Sequence, residues 1–486
     1  MNFNIQKYFN PYLDYRGLGL FRLFLGSLLI IDLLVNKWPN LEAFYTDSGL
    51  LNRETLASII EADGLRSIYN FGLLSFFDSI NGVQFFFSLS LLCYICLTIG
   101  FRSRVFSVLA FIALWSIHQR NSFVLSGPDE LMINFLFIGM FLPLDQRFTF
   151  FRSGIKLKAN QHKGIASFYF LFFIGLEYFF QAFLKTGHLW ENGDAISYAL
   201  METIWTKPWS SFLLEQEAVC TFLTKSTLWI EYSIPLLIFF PWINKWTRVL
   251  AVILLIGLHG TIFIFLDLGL FPFIVPTFAV LLLPSNVFDY FENKLKQYKL
   301  KIKAIEMVPI TDKYKGKFKS IAGVFLIFIL FIVTWKSSLS SERLKEKLPN
   351  PEFMKSLNNT SMFSQYWGFY APNPSITHGW FKVVGVKPDG TMVDLRTMKL
   401  LSMDDSEIDA YRNYSWNVFY YKTMVYNYVS SRPLLDRWSE FEYQAARETG
   451  HRIVQVQIIS FKQRILSKNK QSQIRNFIFS YAPKER

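Results

Sequence analysis

Nine mostly apolar segments, each about as long as one membrane-spanning helix, alternate with short polar segments over the first two thirds of the chain. They cover approximately residues 17–36, 82–101, 103–119, 128–144, 164–185, 226–243, 248–267, 269–284 and 318–336. A helix of about 20 apolar residues crosses the roughly 30 Å hydrocarbon core of a bilayer. The pattern therefore predicts nine transmembrane helices, of which the eighth is kinked by Pro272 and Pro276.

Charges in the loops between these segments differ from one side of the predicted membrane to the other. Lysine and arginine dominate the loops after the second, fourth, sixth and eighth segments, for example Arg102 and Arg104 after the second. The loop after the first segment carries acids instead, among them Glu42, Asp47 and Glu54. Because positively charged loops stay in the cytoplasm, we predict a cytoplasmic N-terminus and an extracytoplasmic C-terminal region.

The pattern changes at about residue 337, where long apolar runs give way to short alternating segments. Two such segments flank Asp389-Gly390, a dipeptide typical of a β-hairpin. Residues 451–463 alternate like a strand, and residues 436–450 have the pattern of an amphipathic helix that ends at a glycine. These signals predict a small α+β domain after the last apolar segment.

The expected fold is an all-α polytopic membrane bundle of about nine helices with a small C-terminal α+β extracytoplasmic domain. We divide the chain into a transmembrane domain at 1–290, a basic cytoplasmic loop with the final transmembrane helix at 291–336, and the outer domain at 337–486. No internal repeat of the kind found in transporters is visible.

Composition supports a membrane protein and excludes other classes. Hydrophobic residues make up 51% of the 486 residues and charged residues 18%, compared with roughly 25% charged residues in soluble domains. The net charge of +13 lies in the loops, so we attribute it to topology and not to nucleic-acid binding. Cys93 and Cys96 lie within an apolar run and are interpreted as core packing. The six histidines are scattered, so no metal site is expected.

Ionisable side chains inside the apolar segments indicate a functional site. Each costs about 2.5–3.5 kcal/mol at the centre of a membrane helix on insertion scales. The segments nevertheless contain Arg22, Asp32, His118, Glu177, Lys185, Glu231, His259 and Asp267. Glu177, Gln181 and Lys185 are spaced four apart, which places them on one helix face. We expect this polar row to line a cavity in the outer half of the bundle, where the ionisable groups of several helices meet.

Each of these residues also has a purely structural interpretation. Arg22 and Asp32 fit charges that pair for topology or packing, and Glu231 fits an interfacial residue. Lys185 fits a lysine that extends its amine to the membrane surface, and His259 fits a buried histidine with hydrogen-bond partners. The common depth of the polar row and His259 favours the cavity.

Several stretches of the sequence resemble the horizontally transferred transmembrane (HTTM) domain, which is shared with vitamin K-dependent γ-glutamyl carboxylases. They include HQRNSFVLSGPDELMINFLFIGMFLPLD, LKTGHLWENGDA and LHGTIFIFLDLGLFPF. The resemblance covers about residues 12–290, and QYWGFYAPNP at 365–374 looks like the stretch that follows the membrane domain in bacterial members. It implies an integral protein of the bacterial inner membrane.

The resemblance implies that Lys185 is a catalytic base, because a lysine five residues before a tryptophan has this role in the carboxylases. That base deprotonates a vitamin K hydroquinone, and the oxygenated quinone then abstracts a glutamate proton before CO₂ is added. His259 matches a second histidine of the carboxylase site. Asn121 stands where the carboxylases have a further histidine, and His118, one turn earlier, is the candidate to replace it.

The cofactor implied is a reduced quinone of the vitamin K or menaquinol type, without a metal. We assign Glu177, Gln181, Trp190 and Glu231 to its pocket. The implied partners are membrane lipid or quinone and a secreted or membrane peptide substrate, with no nucleic acid.

Three functions are compatible with the sequence. The first is a quinol-dependent enzyme resembling the carboxylases, with Lys185 as general base at the outer membrane face. The second is a non-catalytic HTTM protein that binds a lipid or a secreted peptide for maturation or export. The third is a transporter built around the polar row, which the lack of visible repeats disfavours.

Overall fold

The computed structural model of the chain describes ten ranges of residues. They are 12–62, 72–150, 160–297, 317–341, 344–349, 367–401, 413–425, 428–467, 470–471 and 475–481. Most of the predicted basic loop, at 298–316, lies outside the described residues.

Helices form most of the structure up to the outer domain. Their bounds are α1 Tyr15–Ile31, α2 Leu41–Tyr45, α3 Arg53–Ala62, α4 Ile80–Ile99, α5 Ser103–Arg120, α6 Gly127–Gly139, α7 Ile165–Leu184, α8 His188–Asn192, α9 Ala195–Leu200, α10 Ser210–Leu214, α11 Glu217–Phe239, α12 Asn244–Phe265, α13 Phe271–Leu282, α14 Ser285–Gln297 and α15 Lys317–Leu339. A π-helical turn, Asp32–Lys37, continues α1. Two short strands, β1 Leu13–Asp14 and β2 Gln161–His162, pair at the start of α1.

Each of the nine apolar segments forms a helix, but the prediction of nine membrane spans is not supported. By length and hydropathy, four helices of the described residues are able to cross a bilayer, or up to five if one bent pair counts as a single span. The α6 helix has only 13 residues, and α13 has 12 and turns by 95° into α14. Apolar periodicity predicts that these segments are helical and buried, but it does not fix their length.

The core of the bundle is built around α7, which is buried along most of its length. It packs against α11 on one side and α15 on the other, while α1 packs against α4 and α13. The start of α1 is fixed by Arg16, whose guanidinium donates to Asp14 at 2.9 Å and to Asp289 of α14 at 2.7 Å. This arrangement places the C-terminal end of α7 near the middle of α11.

The described residues of the outer domain form an antiparallel sheet and two helices. The strands are β3 Thr377–Val386, β4 Met392–Asp394, β5 Gln455–Ser467, β6 Lys470–Gln471 and β7 Arg475–Tyr481, and the helices are α16 Tyr414–Val425 and α17 Tyr428–Glu448. The order β4-β3-β5-β6, with β7 also paired to β5, confirms the hairpin predicted at Asp389-Gly390. Gly390 has φ +81°, a conformation that glycine adopts without steric cost.

Polar contacts join the outer domain to one end of the bundle. Trp416 of α16 donates from its indole to Asn40 Oδ1 at 3.1 Å. The guanidinium of Arg437 on α17 donates to the backbone carbonyls of Asp47, Ser48 and Gly49 at 2.8–2.9 Å. The outer domain therefore covers the end of the bundle at which α7 stops.

Candidate functional site: a buried lysine in an apolar cavity

Lys185 is the first residue after α7, and its side chain turns inward. Its backbone N–H donates to the Ala182 carbonyl at 3.1 Å, which ends the helix. The ammonium contacts the carboxylate of Glu231 on α11, and both side chains are buried. The nitrogen lies 5.0 Å from the ring centroid of Trp190, within the range of a cation–π interaction. The interpretation of Lys185 as a surface-seeking lysine and of Glu231 as an interfacial residue is therefore wrong.

Trp190 is held against Lys185 by the short helix α8 and by the outer domain. Its indole N–H donates to the Tyr370 carbonyl at 2.9 Å. The helix ends at Gly193, whose φ of +88° is left-handed, a conformation that favours glycine. The chain therefore turns tightly just after Trp190.

The segment from Gly368 to Ser375 forms the outer wall of the site. The Gly187 N–H donates to the Pro372 carbonyl at 2.9 Å, and the Leu189 N–H donates to Asn373 Oδ1 at 3.0 Å. A Cβ atom at position 187 would overlap the Asn373 side chain. The close approach of the Asn373 side chain to the backbone at this position therefore requires glycine.

His259 of α12 faces the same cavity. Its Nε2 lies 2.9 Å from the hydroxyl of Tyr178 on α7. Its Nδ1 is buried, and no hydrogen-bond partner for it occurs in the part of the chain that the structure describes. One oxygen of Glu231, Oε2, is likewise buried and without a partner among those residues. Both atoms are available to a bound molecule, since buried polar groups normally have partners.

These side chains border a cavity of about 890 Å³ between the bundle and the outer domain, a volume within the range of ligand pockets. Most of its wall is apolar and comes from α9, α11, α12 and α16. Polar side chains at the end of α7 and on α11 and α12 also line it, namely Gln181, Lys185, Glu231 and His259. We call the region around these four side chains the polar end of the cavity.

The polar row on α7 is only partly in the cavity. Gln181 and Lys185 line it, as the sequence predicts, whereas Glu177 does not. Glu177 is buried one turn deeper, where its Oε1 accepts from Gln181 Nε2 at 3.3 Å. Its contribution to the site is to orient the amide of Gln181.

Ionisable groups of several helices meet in the cavity, since Lys185, Glu231 and His259 come from the end of α7, from α11 and from α12, but His118 and Asn121 do not line it. His118 lies in a separate buried cluster, 3.4 Å from Asp129, and Lys37 in that cluster contacts Asp32 and Asp129. Asn121 acts in a turn, where it donates to the Phe44 carbonyl at 3.1 Å and accepts from the Phe123 N–H at 2.9 Å. The two residues lie at the end of α5 and in the turn after it, whereas Lys185, Glu231 and His259 lie at the end of α7, on α11 and on α12.

The structural interpretation holds for the charges of α1. The guanidinium of Arg22 donates to the backbone carbonyls of Leu144 and Arg147, at 2.8 and 3.3 Å. Asp32 pairs with Lys37, five residues later. Both charges serve packing between helices.

Sequence reasoning missed several groups of the cavity. Glu202, which precedes a short turn in the loop after α9, lines the cavity and is buried, and burial raises its pKa to about 8. Lys422 and Tyr414 reach the cavity from α16 of the outer domain. No local sequence signal distinguishes Glu202 from the other acids of its loop, because its burial comes from tertiary packing.

Comparison of the chain with protein-family models, with curated proteins and with solved structures found no match. Within the described ranges, no group of three or more His, Cys, Asp or Glu side chains is placed to hold a metal ion. The cavity and its side chains are therefore the basis on which a function is assigned.

Proposed function

We propose that the chain is an integral membrane protein whose cavity binds a quinol, and that Lys185 is the base that removes a proton from the quinol hydroxyl. The observation that carries the proposal is a buried amine in contact with Glu231 at the polar end of an apolar cavity. The resemblance of LKTGHLWENGDA to the carboxylases supports the same assignment.

Exposed apolar side chains support the membrane setting. Phe85 on α4 is 63% exposed, Leu236 on α11 is 70% exposed and Ile253 on α12 is 60% exposed. Soluble monomers rarely expose contiguous apolar patches larger than a few hundred Å². Lipid would cover these faces, and the loop charges favour a cytoplasmic N-terminus with the outer domain outside.

The shape and chemistry of the cavity favour an amphipathic ligand with a small polar head. The apolar wall suits a hydrocarbon tail, and the unpartnered His259 Nδ1 and Glu231 Oε2 belong to residues that line the cavity and would bind polar groups of a head group. A quinol has two hydroxyls on an apolar ring, so it matches both the polar and the apolar part. A bacterial inner membrane would supply such a molecule as menaquinol.

The base step is the transfer of one proton. The quinol O–H bond breaks, its electron pair stays on oxygen, and an N–H bond forms on the amine of Lys185. In this step Lys185 acts as a neutral amine, which requires that the proton of the pair lies on the Glu231 carboxyl before the step. The ammonium that forms then lies beside the quinolate and above the Trp190 ring. Molecular oxygen is the oxidant of the quinolate, as the resemblance implies.

Oxygen-dependent oxidation of a reduced naphthoquinol by the purified chain tests this function. A Lys185→Ala variant should lose about 10²- to 10⁴-fold in rate, the usual contribution of a general base. Lys245→Ala is the matched control, because Lys245 is exposed at the start of α12 and should keep the wild-type rate. An unchanged rate in Lys185→Ala, or a wild-type protein that oxidises no quinol, would contradict the assignment.

A non-catalytic role is the second candidate. It is favoured by the contact between Lys185 and Glu231, which as an ion pair would leave no free base and would only orient a head group. In this case the cavity stores or presents a lipid or a secreted peptide during maturation or export. Quinol binding without turnover, or co-purification of a peptide that survives Lys185→Ala, would favour it over catalysis.

A further inference from the structure

We infer that the cavity has a lateral entrance between α11 and α12, and that the ligand is a lipid whose tail leaves the cavity there into the outer leaflet. This inference rests on the proposed function and adds the route and the tail of the ligand to it. It is carried by the side chains around the cavity wall.

Exposure along the cavity wall marks the opening. Among the described residues that line the cavity, only Phe222, Trp229 and Gly257 are exposed. Phe222 and Trp229 lie on α11 and are 68% and 77% exposed, and Gly257 lies on α12. All the other lining residues are buried or half-buried, so the exposed part of the lining lies on these two helices.

The two helices present complementary rows to this gap. The row on α11 consists of Phe222, Leu223, Ser226, Thr227 and Ile230, and the row on α12 consists of Leu254, Gly257, Leu258, Thr261, Ile262 and Phe265. Further from the outer domain the same helices contribute Ile234, Ile238, Ala251 and Leu255 to the hydrophobic core. The gap is therefore confined to the half of each helix that lies beside Lys185.

Open space adjoins Gly257. An added Cβ atom at this position would meet no atom within 4 Å, and the same holds for Gly260 one turn later. Gly257 lines the cavity, whereas Gly260 does not. Glycine in a helix interior costs roughly 0.5–1 kcal/mol relative to alanine, so its presence at an unobstructed position of the wall is consistent with a need for free space.

The surface outside the gap is apolar. Ile253 and Ile264 on α12 are 60% and 51% exposed, and Val219 and Leu236 on α11 are 43% and 70% exposed. A tail that leaves between α11 and α12 would therefore reach hydrocarbon and not water. The ligand class that fits is a lipid with its head group at the polar end and a tail that passes between α11 and α12.

Equilibrium binding of two probes to the full chain in lipid nanodiscs tests the entrance. The probes are 2-methyl-1,4-naphthoquinone without a tail and the same ring with a long isoprenoid tail, both reduced. Gly257→Trp should fill the gap and weaken binding of the tailed probe at least tenfold, while binding of the tail-less probe changes less than twofold. Gly260→Trp adds the same side chain outside the cavity and should bind both probes like the wild type.

The possible outcomes separate the two proposals. If the wild type binds both probes and Gly257→Trp does not discriminate between them, the lateral entrance is wrong and the quinol site stands. An equal loss in Gly257→Trp and Gly260→Trp also overturns the entrance, because it reports a general disturbance of α12. A wild type that binds neither probe overturns the quinol site, and the entrance with it.

Discussion

Lys185 and Glu231 join the end of α7 to the middle of α11 at a depth where both side chains are buried. A buried charge is tolerated only with its partner, since removal of one member leaves the other uncompensated. The same two residues therefore contribute both to the stability of the bundle and to the chemistry proposed for the cavity.

Glu231→Ala should lower the free energy of unfolding by about 3–5 kcal/mol, because it leaves the amine of Lys185 buried without its acid. The double variant Lys185→Met/Glu231→Leu replaces both charges by apolar side chains of similar size and should unfold close to the wild type. Thermal unfolding in detergent, followed by tryptophan fluorescence, measures both. Wild-type stability in Glu231→Ala would show that the pair is solvated.

Glu202 gives the cavity a pH-dependent stability. Burial raises the pKa of its carboxyl from 4.5 in the unfolded chain to about 8. Below pH 4.5 the carboxyl is protonated in both states, and between 4.5 and 8 only the folded state keeps the proton. The free energy of unfolding therefore falls as pH rises through this window, because the unfolded state binds fewer protons.

Glu202→Gln removes this dependence, since glutamine is neutral at every pH. The difference in free energy of unfolding between the variant and the wild type should be about 1–3 kcal/mol larger at pH 8 than at pH 5, in favour of the variant. Paired unfolding curves at the two pH values give this difference. An equal stability difference between variant and wild type at pH 5 and pH 8 would mean that the carboxyl of Glu202 is hydrated in the folded protein.

At the scale of elements, the cavity depends on the short helix α8 and on the segment of the outer domain from Gly368 to Ser375, which contacts α8. Three hydrogen bonds join the two, from the Gly187 N–H, the Leu189 N–H and the Trp190 indole. They set the position of Trp190 over the amine of Lys185. The outer wall of the cavity is therefore formed where α8 contacts the outer-domain segment, and it belongs neither to the helix bundle nor to the sheet.

Gly187→Ala should lower the free energy of unfolding by about 1–3 kcal/mol, the usual cost of overpacking, because its methyl group overlaps the Asn373 side chain. In an Asn373→Ala background the overlap is gone, so the same change should cost much less. A double-mutant cycle of unfolding free energies measures this coupling. Additive effects would mean that α8 and the outer segment do not touch.

Sequence periodicity predicts which segments are helical, because burial of one face leaves a local signal. It also places Gln181 and Lys185 on one face of α7. The lengths of α6 and α13 carry no such signal, and neither does the partner of Lys185, which lies 46 residues away on α11. His118 and Asn121 were assigned to the site by the resemblance of a neighbouring motif. In the structure they lie in another part of the bundle, at the end of α5 and in the turn before α6.

At the scale of the whole molecule, the bundle and the outer domain share one site. The bundle supplies Lys185, Glu231 and His259, and the outer domain covers them with the segment from Gly368 to Ser375. Contacts of Arg437 with three backbone carbonyls and of Trp416 with Asn40 hold the outer domain in place. Neither part alone encloses the cavity.

The most direct test of this account is a structure of the full chain in lipid nanodiscs with the tailed naphthoquinol bound. We expect the head group within hydrogen-bond distance of the Lys185 amine and His259 Nδ1, with the tail leaving between α11 and α12. A saturated complex in which the ring lies outside the cavity, or in which Lys185 faces headgroups or water, would contradict it.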